Sequence, residues 1–453
     1  MKKKITYKIE EDSLGKVKVP KDALYGAQTQ RAIDNFKISG EPFPPVFLQA
    51  LALIKASCAL ANKEFGLLTP KKSQAIYKSA MDICNNIDKY YNQFPIDIFQ
   101  TGSGTSTNMN MNEVIANMAS KTLKSKVHPN DDVNMSQSSN DVIPSTIIIS
   151  SWLSSQHLDD AIQVMLNSLR VRAKKTNVIK SARTHLMDAV PVNFSEEIMN
   201  WYGMILDSLV LEFHPTSLPI GGTAVGTGIN APKDFGNKVC KNLNKILKIK
   251  SGFDAIHTYR YISSQNHILE LSGRYLVLAS ALTKISNDLR WYNSGPISGL
   301  GEITLKPLQP GSSIMPGKIN PVIPEAVLMA MAQVTGNHTT INIACTSGNF
   351  QLNTMLPVIA LNILESANLL ENSLLALSKV IDTFKVNVKK IQSNVEKNPI
   401  IATKLNEIIG YDLTAKIVKE AYKSNKSIID IAEKMTDFSK SELRKLLDPK
   451  KLV

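Results

Sequence analysis

Cysteine is scarce in this chain and what there is lies scattered. The four residues, Cys58, Cys84, Cys240 and Cys345, show no C-x-x-C spacing and fall in apolar or helical stretches. That pattern excludes a disulfide framework and a cysteine-based zinc site, and predicts reduced thiols. Histidine is also sparse, with seven residues and no H-E-x-x-H. No metal and no cofactor are expected. Long uncharged apolar runs are missing: the best candidate, Ala50 to Ala61, is broken by Lys55, and nothing reaches the roughly 18 residues of a membrane span. No membrane partner is expected. Acidic residues are in deficit, 39 against 52 basic ones, for a formal charge of +13. With no aromatic interleaving and no nucleic-acid motif, this charge reads as a solvated lysine-rich surface that attracts small anions, not as a nucleic-acid site. The start, Met1 to Lys8, is basic but lacks an apolar core and soon meets Glu10, Glu11 and Asp12. Neither a secretory signal nor a transit peptide fits, so a cytoplasmic location is predicted.

At 453 residues the chain is long for a single hydrophobic core, and two or three structural units are expected. Strand-type alternation of β-branched residues is rare, whereas apolar residues from Pro44 to Tyr90 recur at helical steps. The predicted class is therefore all-α. Long helices are expected over Asn140 to about Lys175, Glu196 to Glu212, Gly273 to Leu289, Ile323 to about Cys345, and Leu356 to Phe384. The last is so uniformly apolar that it is expected to be buried on all faces, with neighbours from other copies of the chain. Ser439 to Glu442 has the spacing of a capping box that opens a final helix.

The chemistry gathers in loops. Gly311-Ser312-Ser313-Ile314-Met315-Pro316-Gly317-Lys318-Ile319-Asn320-Pro321 packs hydroxyls, a lysine and an amide between glycines and prolines. Gly allows close backbone approach and Pro removes competing conformers, which suits an anionic ligand. A phosphate-binding P-loop is excluded, because five residues separate Gly311 from Gly317 and Ile319 follows the lysine, where that motif needs four and then Ser or Thr. Taken alone, the run also fits an ordinary surface loop.

Three further segments change that reading: Thr101-Gly102-Ser103-Gly104-Thr105-Ser106-Thr107-Asn108 running to Glu113; His128-Pro129-Asn130-Asp131 running through Ser136-Gln137-Ser138-Ser139-Asn140-Asp141; and Arg183-Thr184-His185-Leu186-Met187-Asp188-Ala189. Together they resemble the signatures of the aspartase/fumarase superfamily, from Tyr25-Gly26-Ala27-Gln28 to Gly410-Tyr411-Asp412. Within it the chain is most similar to class II fumarase. Ser138-Ser139-Asn140, Thr184-His185, Gly317 and Asn349-Phe350-Gln351-Leu352-Asn353 take the fumarase form, whereas Pro321-Val322-Ile323-Pro324-Glu325 reads more like aspartase.

The resemblance implies a three-domain fold: an N-terminal helical lyase domain over 1–138, a central long-helix bundle over 139–394, and a small helical domain over 395–453. It implies a homotetramer with composite active sites and a small dicarboxylate substrate, fumarate or L-malate, handled without metal or cofactor. Ser312 becomes the base, and His185, oriented by Glu325, activates a water. Lys318 and Asn320 clamp the growing negative charge. Ser103, Gly104, Thr105, Ser138, Ser139, Asn140, Thr184 and Ser313 join them in holding the carboxylates. A serine is a poor base unless N–H donors and a cation stabilise its alkoxide, and the Gly317-Lys318 backbone with the Lys318 charge is the expected source. His128, Pro129, Asn130 and Asp131 resemble a second carboxylate site at a helix N-terminus, although Ser125 stands where relatives often carry a basic residue.

Departures from the family pattern are Met187 for glutamine, Ile297 for arginine, and Ser195-Glu196-Glu197 for Gly-Gln-Glu, with Pro215 and Pro219 shortening the helix before Gly221. These bear on packing, stability and turnover. Two other readings are aspartate ammonia-lyase, and a superfamily member kept as a non-catalytic structural or binding protein.

Overall fold

The computed structural model describes residues 6–209, 217–249, 252–424 and 426–451. The fold is all-α, and the named strands among the described residues form three two-stranded antiparallel pieces. The chain divides into two compact units. One comprises residues 1–158, 211–276 and 332–370; the other comprises 159–210, 277–331 and 371–453. Four of the boundaries fall within the helices Ser139–Lys175, Asn266–Tyr292, Val322–Cys345 and Leu356–Thr383, and the fifth lies outside the described residues.

In the first unit the helix Pro45–Glu64 forms the core, packed by Pro70–Asn85 and Phe235–Leu247. Pro45 opens it, where a missing N–H costs nothing. Phe47, Leu48, Leu51 and Ile54 are fully or almost fully buried. This helix alone among the described residues is long and apolar enough to cross a membrane, yet most of it is buried within the unit. The backbone at the start of the helix Ala27–Asn35 is satisfied from a distance by Glu113, which accepts the N–H groups of Gly26, Gln28 and Thr29 and the Thr29 hydroxyl. Asp97 does the same for a loop, accepting the N–H groups of Ile38, Ser39, Gly40 and Phe99 and the Ser39 hydroxyl.

In the second unit the hairpin Ile179–Thr184/Met187–Asn193 leads into the helix Phe194–Leu209. Trp201 is fully buried and donates its indole N–H to Asp288 at 3.0 Å. Phe194 lies edge-on to Tyr292 and tilted against Phe384. Towards the C-terminus, short helices enclose a cluster of Ile401, Leu405, Ile417, Ile431 and Leu443. The expected capping box is present: Ser439 and Glu442 exchange side-chain and backbone bonds at the start of Lys440–Leu446.

Most helix expectations match. Ser139–Lys175 and Val322–Cys345 begin within a residue of the expected starts. Asn266–Tyr292 starts well before Gly273, because that glycine is an interior position flanked by the buried Ile268, Leu271 and Tyr275 and not a breaker. Of the helix expected over Glu196 to Glu212, the described part ends at Leu209, and residues 210–212 and Pro215 lie outside the described residues. Leu356–Thr383 is not buried on every face of the single chain: Glu365, Asn368, Asn372, Lys379 and Asp382 form an exposed polar stripe at helical spacing. The number of leucines and isoleucines hid the stripe, because those apolar residues occupy most of the remaining positions.

Burial alone raises the Asp97 carboxyl, but the Gly40, Phe99 and Ile38 N–H groups and the Ser39 hydroxyl outweigh it and hold the group at about 2. A carboxylate depressed in this way contributes stability that is complete above its ordinary value of 3.8 and is lost as pH falls through the folded value. Urea unfolding followed from about pH 5 to about pH 2 is expected to show that loss, and Asp97→Asn is expected to flatten its Asp97-dependent part while lowering stability at neutral pH.

Candidate active site

The first unit brings most of the expected carboxylate ligands together at two helix starts. Gly104 precedes the helix Thr105–Leu123 in the left-handed region, at φ 71°, and a Cβ there would press on Ile143 at 3.0 Å. Gly102 is more constrained, since a Cβ would meet the Thr354 carbonyl oxygen at 1.8 Å. The hydroxyls of Ser103 and Thr105 lie 2.9 Å apart, and that of Thr105 lies 2.8 Å from Ser139 at the head of Ser139–Lys175. Two helix N-termini are thus bridged by hydroxyls, a setting that favours an anion.

Asp141 holds this arrangement from below. One carboxylate oxygen accepts the Ser138 N–H at 2.9 Å, and the other accepts the N–H groups of Gly221 and Thr223. Asn140 donates its amide to the Ala224 carbonyl at 2.8 Å. Asp141 shares its interior with the fully buried Lys55, whose ammonium donates to Asn134 and Gln137 at 3.0 and 2.9 Å. Burial raises the Asp141 carboxyl against the pull of its N–H donors and Lys55, and burial lowers the Lys55 ammonium against the pull of Cys58 and Asp141. Sequence reasoning quoted Asp141 within a motif but gave it no role. The available signal was the Ser138-x-x-Asp141 spacing, which matches half of a capping box.

In the second unit the loop from Gly311 to Asn320 closes on itself. The Gly311 N–H donates to the Lys318 carbonyl at 3.0 Å and the Asn320 amide donates to the Gly311 carbonyl at 2.9 Å. A Cβ on Gly311 would stand 2.2 Å from that Lys318 oxygen, so only glycine permits the closure. Ser312 Oγ accepts the N–H groups of Ile314 and Met315, each at 3.1 Å. The donors at the serine are therefore these two and not the expected Gly317-Lys318 backbone, whose Lys318 N–H turns to the Met315 carbonyl. Four residues separate Ser312 from Gly317, so a turn can close on the serine before the chain reaches Gly317 and Lys318. Ser313 and Lys318 are exposed. Lys318, Asn320 and Glu325 line a cavity of about 850 Å³ with Arg290, Trp291 and Asn293.

Thr184 and His185 sit apart from that loop's hydrogen bonds, at the exposed tip of the hairpin. Thr184 pairs with Met187, so His185 and Leu186 are the central residues of a two-residue turn, with φ of 53° and 61°. Positive φ at both places is the type I′ form that Asn-Gly usually fills. For histidine and leucine it stores on the order of 1 kcal/mol each. No hydrogen bond joins His185 to Glu325 within the chain, and the structure leaves the pair unassembled.

At the expected second carboxylate site, Pro129–Val133 makes one wide turn and does not open a long helix. Its own side chains take up donors there: the Asp131 N–H donates to His128 Nδ1 at 3.1 Å, and the His128 N–H donates to Asp132 at 2.8 Å. Lys72 pairs with Asp132 at 2.8 Å, and Asn130 is exposed.

Residues 15–336 match the Lyase family, and residues 401–453 match the family described as Fumarase C C-terminus. The chain is 48% identical to a Fumarate hydratase class II of Xylella fastidiosa over 98% of its own length and 94% of the relative's. It is 47% identical to Fumarate hydratase class II 2 of Pseudomonas aeruginosa, with 98% of each covered. The crystal structure of a recombinant class II fumarase from Schistosoma mansoni superposes with a TM-score of 0.92 at 34% identity, covering 98% of both chains. On the family match over residues 15–336 and the near full-length identity to its relatives, the chain belongs to the lyase family, in its class II fumarate hydratase branch.

Proposed function

We propose that this protein is a fumarate hydratase that interconverts fumarate and L-malate by acid–base catalysis. The observation that carries the mechanism is Ser312 Oγ, which accepts two backbone N–H groups in an exposed loop that also carries Lys318. Two N–H donors and a cation stabilise an alkoxide and so make serine able to take a proton. In the dehydration direction Ser312 removes the proton alpha to a malate carboxylate. The electrons move into that carboxylate as an aci-carboxylate, and Lys318 and Asn320 face the added charge. The hydroxyl then leaves as water with a proton from the His185 side, and the aci-carboxylate collapses to the fumarate double bond. Ser103, Gly104, Thr105, Ser138, Ser139, Asn140, Thr184 and Ser313 hold the carboxylates. The unassembled His185–Glu325 pair supports a composite site in which copies of the chain supply different groups.

A homotetramer is part of the same reading. Met329 and Ile343 are 69% and 59% exposed on Val322–Cys345, among exposed Ala326, Ala332 and Gly336 and the short polar Thr335, Thr339 and Asn342, and large apolar side chains left exposed on a helix support a face that packs against another copy. The division into 1–138, 139–394 and 395–453 is retained as a proposal; the C-terminal family match and the buried cluster around Leu405 and Ile417 support its last boundary. A cytoplasmic location, a place in the tricarboxylic acid cycle and a second carboxylate site at His128, Pro129, Asn130 and Asp131 belong to the same proposal.

The deciding assay follows the ultraviolet absorbance of fumarate after metal-stripped protein is added separately to L-malate and L-aspartate. Signal from malate alone is expected; signal from aspartate with ammonia release assigns the chain to the ammonia-lyases. Ser312→Ala and His185→Asn are each expected to lower malate turnover by about 100-fold or more with assembly unchanged, and near-wild-type rates in both variants refute the assigned pair. Sedimentation at micromolar concentration is expected to give a tetramer, and a monomer contradicts the composite site.

A further inference from the structure

The turn at His185-Leu186 is held in a conformation that its own residues disfavour. Leu186 is 71% exposed, so packing of its side chain does not hold the turn. The strand ladder beneath it is short: the register shifts between Ser181 and Arg183, leaving Arg183 opposite Asp188 and Thr184 opposite Met187 as the pairs above the irregularity. What grips this tip is an ion pair. The Arg183 guanidinium reaches both oxygens of Glu302, at 2.5 and 3.2 Å, and the Glu302 side chain is 1% exposed. Glu302 is itself fixed, because its N–H donates to the Tyr292 carbonyl and its carbonyl accepts the Asn387 N–H, each at 2.8 Å. The lower hairpin is secured separately. Lys180 pairs with Glu197 at 2.8 Å, and Asn398 donates to Ser181 Oγ and the Ala189 carbonyl.

We propose that Glu302, acting through Arg183, is the positioning residue that keeps the His185 turn in its left-handed form and the imidazole in place for proton transfer. The proposal rests on the hydratase reading. A bidentate guanidinium–carboxylate fork fixes orientation as well as distance, and it acts on the residue two positions before His185. Without it the turn relaxes to a conformation suited to non-glycine residues and the imidazole moves. Of the groups proposed to hold the carboxylates only Thr184 lies on this hairpin; those around Thr105 and Ser139 have hydrogen bonds of their own, so turnover is affected more than substrate affinity.

The test compares malate dehydration by the full-length wild type, Glu302→Gln, Arg183→Lys, Leu186→Gly and the Glu302→Gln/Leu186→Gly double variant, with hydrogen exchange of the 179–193 peptide read in parallel. Glu302→Gln is expected to lower kcat by about 10-fold or more while KM changes by less than about threefold, and to speed exchange at the turn. Glycine accepts positive φ without strain. Leu186→Gly alone is therefore expected to keep wild-type rates, and in the double variant to restore kcat to within about threefold of wild type. Wild-type kcat in folded Glu302→Gln, or a double variant as slow as the single, overturns the proposal. Should Glu302→Gln not fold, Arg183→Lys, which keeps the charge and loses the fork, takes its place in the same comparison with Leu186→Gly. A folded wild type silent on malate refutes the hydratase reading instead; exchange then decides the positioning question, and unchanged exchange in Glu302→Gln overturns it.

Discussion

Buried carboxylates that accept backbone N–H groups or grip a guanidinium are the interaction on which the remaining architecture depends. Glu113, Asp97, Asp141 and Glu302 each lie almost or entirely out of solvent, and each ties a loop or turn to an element distant in sequence. Helices supply rigidity, but the candidate site is built from the ends of helices and from turns, where the backbone leaves N–H groups unpaired. A neutral acceptor would satisfy such donors weakly. An ionised one makes bonds about twice as strong, and in the interior a broken set leaves a charge with nowhere to go. The loops are therefore fixed by groups whose loss is expensive.

The same logic applies to the groups proposed to hold a doubly charged ligand. At the starts of Thr105–Leu123 and Ser139–Lys175 a chain of hydroxyls, from Ser103 through Thr105 to Ser139, faces one region. In the other unit, the serine loop aims two N–H groups at one oxygen and carries a lysine on the same short stretch. Donors fixed in this way do not have to reorganise as charge develops on the oxygen they face, which is the condition for effective electrostatic stabilisation.

The fold class and most helices were legible because helical periodicity is a local signal, and Ser439 with Glu442 shows that a cap can be read from spacing alone. Ser312, Lys318 and Asn320 were legible as a motif. Their geometry was not: the N–H donors at Ser312 come from Ile314 and Met315, and which amides a turn aims inward depends on dihedral angles that composition does not encode. Asp141 and Glu302 were harder still. Asp141 offers only the half capping-box spacing with Ser138 and Glu302 looks like any surface acid in sequence, and their roles come from partners 80 to 82 and 119 residues away. The strain at His185-Leu186 was invisible, since two-residue hairpin turns are recognised by Asn-Gly and this one carries neither residue.

Lys55 has a consequence that reaches back before the chain has folded. In the finished protein it reaches Asn134 and Gln137 from the centre of a helix otherwise apolar enough to span a bilayer. A lysine at the middle of such a segment costs roughly 3 kcal/mol on translocon-insertion scales. The side chain that tethers an interior loop therefore also biases the emerging polypeptide away from lipid, while the helices that later cover it are still being synthesised.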